Sequence, residues 1–534
     1  MSTTAAASQP IPAAPADTGL VPRPLAALAG VVAAAAALAV GELVAAFVAG
    51  APSPVASVGA ALIDFAPPGS KEIIVGLFGT NDKPALLLLV SAGVLAVGAG
   101  LGLVARTRPG VAMAGIVALV GVGLVAMLRQ SDAELAFALV SAGLQAGVGI
   151  QVLTVLLAAA PREGVVDGPD ADGRAPVRSR RGFLLRAGGL GALAVVGGGI
   201  GRTLLEGRAS NVAAASSEIP QAVDPVVAPG ADSSFDVAGL TPLIVANGDF
   251  YRIDTTLVTP SIDLASWTLR VHGMVQQEVT LTFEQLTQLP LIERYVTIAC
   301  VSNEVGGNLV GNAKWTGVRL TDVLDLAGVQ PGATQIVPRS VDGWTAGFPT
   351  EWVTAPERPR DAMIAVKMND EPLPVAHGFP ARLVVPGLYG YVSATKWLTE
   401  LELTTLESFD AYWVPRGWAK EAPILTQSRI DVPSANGRVA AGQVPIAGVA
   451  WAPDRGISRV EVQVDGGEWQ NATIATPIGP QTWVQWKLPW QATTGSHTIA
   501  VRATDGTGEV QTDRRTRPDP DGARGYHSIA VSVA

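Results

Sequence analysis

The chain has 534 residues, 48% of them hydrophobic, with a formal net charge of −9 and one cysteine. That length suits roughly two to four domains, and a lone thiol excludes an internal disulfide, CxxC zinc sites, cysteine-ligated iron–sulfur clusters and covalently attached haem. Residues 1–210 carry 14 Lys+Arg against 12 Asp+Glu, whereas 211–534 carry 23 against 34, a net −11 that offers nucleic acid no basic footprint.

Residues 1–22 are rich in Ala, Pro and Ser, a composition expected to be disordered. Four apolar runs follow at 25–49, 84–105, 111–128 and 135–160, predicting a four-span transmembrane bundle over 23–160. Each is long enough to cross a hydrocarbon core of about 30 Å. Arg106 and Arg108 follow the second run, and Arg162, Arg174, Arg178, Arg180 and Arg181 follow the fourth. Both basic loops face the cytoplasm only if the N-terminus does too, which leaves Lys71, Lys83 and Arg129 outside. The basic loop 161–181 ends in Ser179-Arg180-Arg181-Gly182-Phe183-Leu184-Leu185-Arg186, and an apolar, glycine-rich stretch runs on to 205. One reading is a plain fifth span, 182–205, with arginine anchors. The other is a twin-arginine export signal inside the chain, which delivers residues 206–534, already folded, to the extracytoplasmic side of a bacterial plasma membrane. No histidine precedes His272, so the spans cannot hold haem between two imidazoles. Glu42, the main intramembrane charge, has no evident cationic partner and is given an interfacial or helix-packing role.

Residues 206–240 read as a linker. The folded part opens at Asn247-Gly248-Asp249-Phe250-Tyr251-Arg252, with strand-like runs at 267–272 and 278–281. Thr282 and Gln285 have the spacing of a capping box. A strand through Tyr295, Val296, Ile298 and Ala299 then ends at Cys300, facing a loop that holds Asn303, Gly306, Gly307, Asn308, Gly311 and Asn312. A lone cysteine is most often a small buried hydrophobe. One delivered by a strand to a polar, backbone-rich loop also reads as a site. Residues 320–327 form a short helix, capped by Thr321 or a preceding loop residue and stopped by Gly328. Short helices among strands make 241–423 an α+β unit. No G-x-G-x-x-G follows a strand and no Walker loop is present, so no nucleotide is expected.

The second dense segment is 368–403. His377-Gly378-Phe379-Pro380-Ala381-Arg382 leads into an apolar strand, a Pro386-Gly387 turn and the run Tyr389 to Trp397, with Lys396 near its end. These could be ordinary surface charges. Arg382 and Lys396 border apolar runs, though, where unpaired charge is costly, which favours an anionic, phosphate-bearing ligand. Residues 424–534 alternate short strands (444–450, 457–465, 483–487, 497–504, 526–533) with turns, the spacing of an immunoglobulin-like β-sandwich. Trp451, Trp469, Trp483 and Trp486 are assigned to its core, and His497 and His527 to structural roles.

Cys300 after an apolar strand, Asn303-Glu304 before glycines, M-N-x-x-P-L-P-x-x-H-G-F-P-x-R, V-V-P-G and the closing Lys396-Trp397 resemble the sulfite oxidase family of molybdopterin-dependent oxidoreductases over residues 241–534. The resemblance implies a sulfite-oxidase-type molybdopterin domain with a C-terminal dimerisation domain, and one molybdenum held by the Cys300 thiolate and a molybdopterin dithiolene. It assigns Cys300 and Asp342 to catalysis. Cofactor contacts fall to Asn247, Tyr251, Arg252, Cys300, His377, Arg382, Ser393, Ala394, Thr395 and Lys396. The implied chemistry is two-electron oxygen-atom transfer on a small molecule. No haem or iron–sulfur cluster and no fused cytochrome are expected, so electrons leave through a separate quinone or cytochrome partner. A homodimer is also implied.

The sequence departs from that pattern in three places. Sulfite-oxidising members carry an arginine five residues after the cysteine; here the residue is Val305, after Glu304, which argues against sulfite. The tyrosine expected before the sandwich is not evident in Tyr412-Trp413-Val414-Pro415-Arg416-Gly417-Trp418, and one extra residue lies between Tyr389 and Lys396. Reduction of a sulfoxide or N-oxide, and a noncatalytic membrane-tethered binding protein, stand as alternatives.

Overall fold

The computed structural model describes residues 19–48, 51–66, 82–130, 133–163, 179–214, 219–356, 358 and 361–534, with the backbone alone for 206–214. The tail up to residue 18, Lys71, Arg174, Arg178 and residues 215–218 of the expected linker lie outside the described residues. The chain divides into two units, 1–205 and 206–534.

The first unit contains helices α1 (Arg23–Phe47), α2 (Pro54–Phe65), α3 (Asp82–Ala105), α4 (Pro109–Met127), α5 (Leu135–Ala159) and the start of α6 (Arg180–Ala214). Five stretches, α1, α3, α4, α5 and Arg180–Leu205, are long and apolar enough to cross a membrane. Helix α1 packs most extensively, against α3 and α5. Gly30 of α1 lies against the backbone of Gly98 and Gly102 in α3, an approach that any side chain would block. Helix α2 is an addition to the expected elements; its 12 residues are too few to span. Ser53 caps it by accepting from Ala56 N at 3.1 Å and donates to Glu42 at 2.7 and 3.0 Å, while Val55 N donates to Glu42 at 3.3 Å. Glu42 thus closes the amino end of a neighbouring helix.

The second unit begins in the expected linker, but residues 219–240 are built onto the fold. Val223 N donates to Leu291 O at 2.9 Å, and Asp224 pairs with Arg294 at 2.9 Å and Arg319 at 2.6 Å. Strands β1 (Thr268–Gly273), β2 (Val279–Thr282), β3 (Leu291–Ala299), β4 (Val310–Arg319), β5 (Gln335–Ser340), β6 (Phe348–Pro349), β7 (Met363–Met368), β8 (Glu371–Pro372), β9 (Arg382–Val384) and β10 (Leu398–Thr404) form two sheets. Their orders are β2-β1-β10-β5-β6 and β3-β4-β7-β8, with β9 paired to β7. The capping box forms as the spacing predicts, opening α7 (Phe283–Thr287). Helix α8 (Leu320–Ala327) ends at Gly328 with φ +67, but its N-cap is Arg319 with no side-chain bond; Thr321 lies inside the first turn and does not cap.

Strands β11 (Gln427–Val432), β12 (Arg438–Val439), β13 (Gly442–Trp451), β14 (Ile457–Val464), β15 (Gln470–Asn471), β16 (Thr473–Ile474), β17 (Val484–Ala492), β18 (Gly495–Asp505) and β19 (His527–Val533) make two further sheets, β11-β13-β17-β16 and β12-β19-β18-β14-β15. The tryptophans divide differently from expectation. Trp486 fills this C-terminal core, whereas Trp451 and Trp483 belong to the core of the preceding sheets, and Trp469 packs nearer the surface on Tyr526 and Arg502. At the seam Thr297 Oγ1 accepts from Trp483 N at 2.8 Å and donates to Asn312 at 3.1 Å. Trp483 Nε1 and Asn312 Nδ2 both donate to Leu243 O, at 2.8 and 3.0 Å. His497 is structural, tied to Asp465 at 2.7 Å.

Candidate functional site

Strand β3 carries Val296, Ile298 and Ala299 into the core, so the next residue, Cys300, emerges buried, at 8% exposure. Its N–H donates to Leu309 O at 2.9 Å, and its carbonyl accepts from Asn303 N at 3.0 Å. Asn303 Oδ1 then accepts from Leu309 N at 2.8 Å, which folds the loop back on itself. The C-terminal sheets brace that loop. Arg429 donates to Gly307 O at 2.9 Å, and Gly306, at φ +82, lies bare against the His527 ring. Burial, reinforced by Arg429, pushes His527 down to about 4, so the ring is neutral and its Nδ1 accepts from Ile430 N at 2.9 Å.

Two phenols lie close enough to Cys300 for the thiol to act on them electrostatically, Tyr251 and Tyr389, and burial holds both well above the usual tyrosine range. Tyr251 stacks on Phe250 at 5.3 Å, and Phe250 meets His377 edge-on at 5.7 Å. His377 Nε2 lies 2.9 Å from Asn247 O. A carbonyl only accepts, so Nε2 carries the proton and Nδ1 is left as the acceptor. Burial, then the nearby Arg382 cation, pushes this imidazole down to about 4, so it is neutral at pH 7.

Arg382 opens β9 and is 3% exposed. It donates to His377 O at 3.1 Å and lies over the Trp315 ring at 4.9 Å. Among the described residues no carboxylate pairs with it, and its Nε is buried without a partner. Burial lowers its pKa to about 10, still cationic at neutral pH. The fully buried Thr395 hydroxyl is likewise unpartnered. Gly378, at φ +115, makes the meeting possible: a Cβ there would sit 3.0 Å from Arg382 Cβ and 3.0 Å from Lys396 Cα. Lys396 donates to Asp254 at 2.9 Å and Ala376 O at 3.1 Å, and burial lowers its pKa to about 8. Asp254 also accepts from Arg252 Nε at 3.0 Å. Asp342 accepts from Trp344 N at 3.1 Å; burial raises its pKa, with Asp254 adding to the rise and Lys396 opposing it.

The structure therefore gathers a thiol end (Cys300, Tyr251, Tyr389, Arg382) and a polar end (Arg252, Asp254, Lys396, Asp342). Other expected contacts are committed elsewhere. The Asn247 amide donates to Met368 O at 3.1 Å and Glu371 at 3.0 Å, leaving its carbonyl to orient His377. Ser393 Oγ donates to Tyr389 O at 3.1 Å, and Ala394 contributes backbone, its N–H donating to Gly390 O at 2.9 Å. Tyr389 and Asp254 were missed by sequence reasoning; for Tyr389 the only available signal was its place just before the Gly390 turn. Val305 is buried hydrocarbon. Among the described residues no three His, Cys, Asp or Glu side chains cluster to hold a metal, so one bound at Cys300 needs a non-protein ligand for its remaining donors.

The family model described as "Oxidoreductase molybdopterin binding domain" matches residues 256–413, and that described as "Mo-co oxidoreductase dimerisation domain" matches 422–518. The mitochondrial sulfite oxidase of Homo sapiens is similar at 29% identity over 303 residues, covering 48% of this chain and 55% of that protein. Nitrate reductase [NADH] 1 of Oryza sativa subsp. japonica is 28% identical over 316 residues, covering 48% and 34%. The uncharacterized oxidoreductase YuiH of Bacillus subtilis (strain 168) is 34% identical over 156 residues, covering 29% and 74%. The chain thus spans about half the length of the sulfite oxidase it matches.

Proposed function

The chain belongs to the sulfite oxidase family of molybdopterin-binding oxidoreductases, and from that premise we propose a membrane-anchored enzyme performing two-electron oxygen-atom transfer on a small substrate outside the cytoplasm. The observation that carries the site is the pair of unpartnered buried groups, Arg382 Nε and the Thr395 hydroxyl, together with the one buried thiol. A buried cation without a counter-charge is costly, and an anionic, hydrogen-bonding ligand relieves that cost. Molybdopterin fits this donor set.

Cys300 would ligate the metal as thiolate. Arg382, Lys396, Arg252 and the backbone of Ser393–Thr395 would hold the pterin and its phosphate, with neutral His377 accepting at Nδ1 and Tyr251 packing against the ligand. Asp342, its protonation favoured by burial, could hold a proton or accept from a pterin amine. Bound there, molybdenum–molybdopterin would accept the electron pair when the substrate is oxidised, or give it when the substrate is reduced, and would carry the transferred oxygen. Asp254 must yield its place between Arg252 and Lys396 for a phosphate to use both cations.

Val305 favours a substrate other than sulfite. The alternative within the family is reduction of a sulfoxide or N-oxide; a noncatalytic tethered binding protein is the alternative outside it. Five apolar helices and the Ser179-Arg180-Arg181 motif support a bilayer anchor with a cytoplasmic N-terminus and a folded, exported second unit. The C-terminal sheets are read as an immunoglobulin-like dimerisation module, and electrons pass to a separate quinone or cytochrome. Metal and pterin analysis of the purified full chain tests the reading. One molybdenum and one pterin per chain, with activity lost in Cys300→Ser, are expected; protein without molybdenum, or full activity in the variant, overturns it.

A further inference from the structure

The Tyr389 hydroxyl is a buried donor that the proposed chemistry leaves unused. Tyr389 lies between the Pro386-Gly387 turn and helix α9 (Gly390–Ser393) and is 4% exposed. Its oxygen accepts a long bond from Leu425 N at 3.5 Å, and its own proton meets no acceptor among the described residues. A buried donor left without an acceptor is costly, so the site is built for a partner the chain does not supply. The surroundings say where that partner sits. The backbone at Gly390 runs against Ala299 O, where a Cβ would stand at 3.6 Å, so the segment that carries Tyr389 passes beside the last residue of β3, next to Cys300. On the other side Gly522, at φ +116, is bare; a Cβ there would come 2.6 Å from the hydroxyl oxygen. Arg524 is also near but is spent on Asp521, through a paired contact of 2.8 and 2.7 Å. The hydroxyl is thus a neutral donor, in a site where Val305 stands in place of a cation.

We propose that Tyr389 donates a hydrogen bond to the oxygen of the substrate at the Cys300 site and, with Val305, selects an uncharged S- or N-oxide over an oxyanion. This rests on the molybdenum reading above. A neutral phenol can bond an oxide oxygen without compensating a full negative charge, whereas an oxyanion entering beside Val305 would be desolvated where both nearby guanidiniums are already engaged, Arg382 by the pterin in the reading above and Arg524 by Asp521.

The test uses the full chain loaded with cofactor, in three forms: unaltered, Tyr389→Phe, and Gly522→Ala, which keeps the hydroxyl but displaces it. Dimethyl sulfoxide with reduced viologen dye and sulfite with an oxidised dye are the probes. At equal molybdenum and pterin content, Tyr389→Phe is expected to lower kcat on dimethyl sulfoxide by about 10- to 100-fold, the scale of losing one transition-state donor. Gly522→Ala should move kcat in the same direction. Independently of turnover, an exchangeable-proton splitting in the Mo(V) electron paramagnetic resonance spectrum should be present in the unaltered chain and absent from Tyr389→Phe. Unchanged kinetics and an unchanged spectrum in fully loaded Tyr389→Phe overturn the inference, as does a preference for sulfite. An unaltered chain without molybdenum overturns the premise instead, and the metal assay reports that separately.

Discussion

Replacing Arg382 with methionine should leave the cofactor-free chain as stable as before, or more so, while weakening its grip on the pterin. Burial lowers the Arg382 pKa from the usual arginine range to about 10. At about 1.4 kcal/mol per unit, that shift corresponds to roughly 3 kcal/mol against the charged form in the folded chain. The sign follows from linkage: the folded pKa is the lower, so the penalty is complete below about pH 10 and fades as pH rises towards the unfolded value. The variant also loses the bond to His377 O and the contact with Trp315, together worth about 2–3 kcal/mol. These terms nearly cancel, so Tm of the cofactor-free chain in detergent should stay level or rise by a few degrees. Pterin retained per chain, read as its fluorescent oxidation product, should fall at least about tenfold for the loss of one charge-assisted pair. A clear drop in Tm with undiminished pterin would refute the reasoning, because Arg382 would then be a paired structural cation.

Three other expectations are accessible. Lys396, with a pKa of about 8 in the cofactor-free chain, should lose its charge above that pH, so pterin binding to the cofactor-free chain should weaken between pH 7 and 9, and Lys396→Arg should remove the dependence. His377, lowered to about 4, is neutral in the fold, so protonation of the unfolded chain lowers stability as pH falls from about 6.5 to 4; His377→Asn should flatten that slope in denaturant titrations of the cofactor-free chain. Thr297→Val strips the acceptor from the buried Trp483 N–H and should cost about 1–3 kcal/mol, visible as a lower Tm with molybdenum content unchanged.

What could be read from the sequence was what short-range chemistry specifies. Thr282 and Gln285 cap a helix wherever they fall at that spacing, Gly328 stops one, and alternating apolar residues deliver Cys300 to a loop edge regardless of distant partners. The apolar lengths of α1, α3, α4 and α5 needed nothing further. Failures came where distant residues decide. The Ser53 cap of helix α2 is itself held by Glu42 on another helix, and Trp483 meets the earlier sheets where the segment before β17 bonds Thr297 of β3. Residues 219–240 have linker composition yet pair with Arg294 and Arg319. The bond that Asn369 donates to the Asn247 amide oxygen likewise joins residues far apart in the chain. Tyr389 looked like any core aromatic until Gly522, far along the chain, made room for its hydroxyl.

The common interior that Trp451 and Trp483 share with the earlier sheets makes 219–534 one mechanical block. Two lobes joined by a hinge could admit a substrate by swinging apart; lobes joined through hydrocarbon cannot open without exposing it to water. Traffic to and from the thiol must then rely on small displacements of rim side chains, which favours compact solutes. Cutting the chain near residue 423 would remove the Arg429 and His527 supports of the loop after Cys300 along with the strands beyond it.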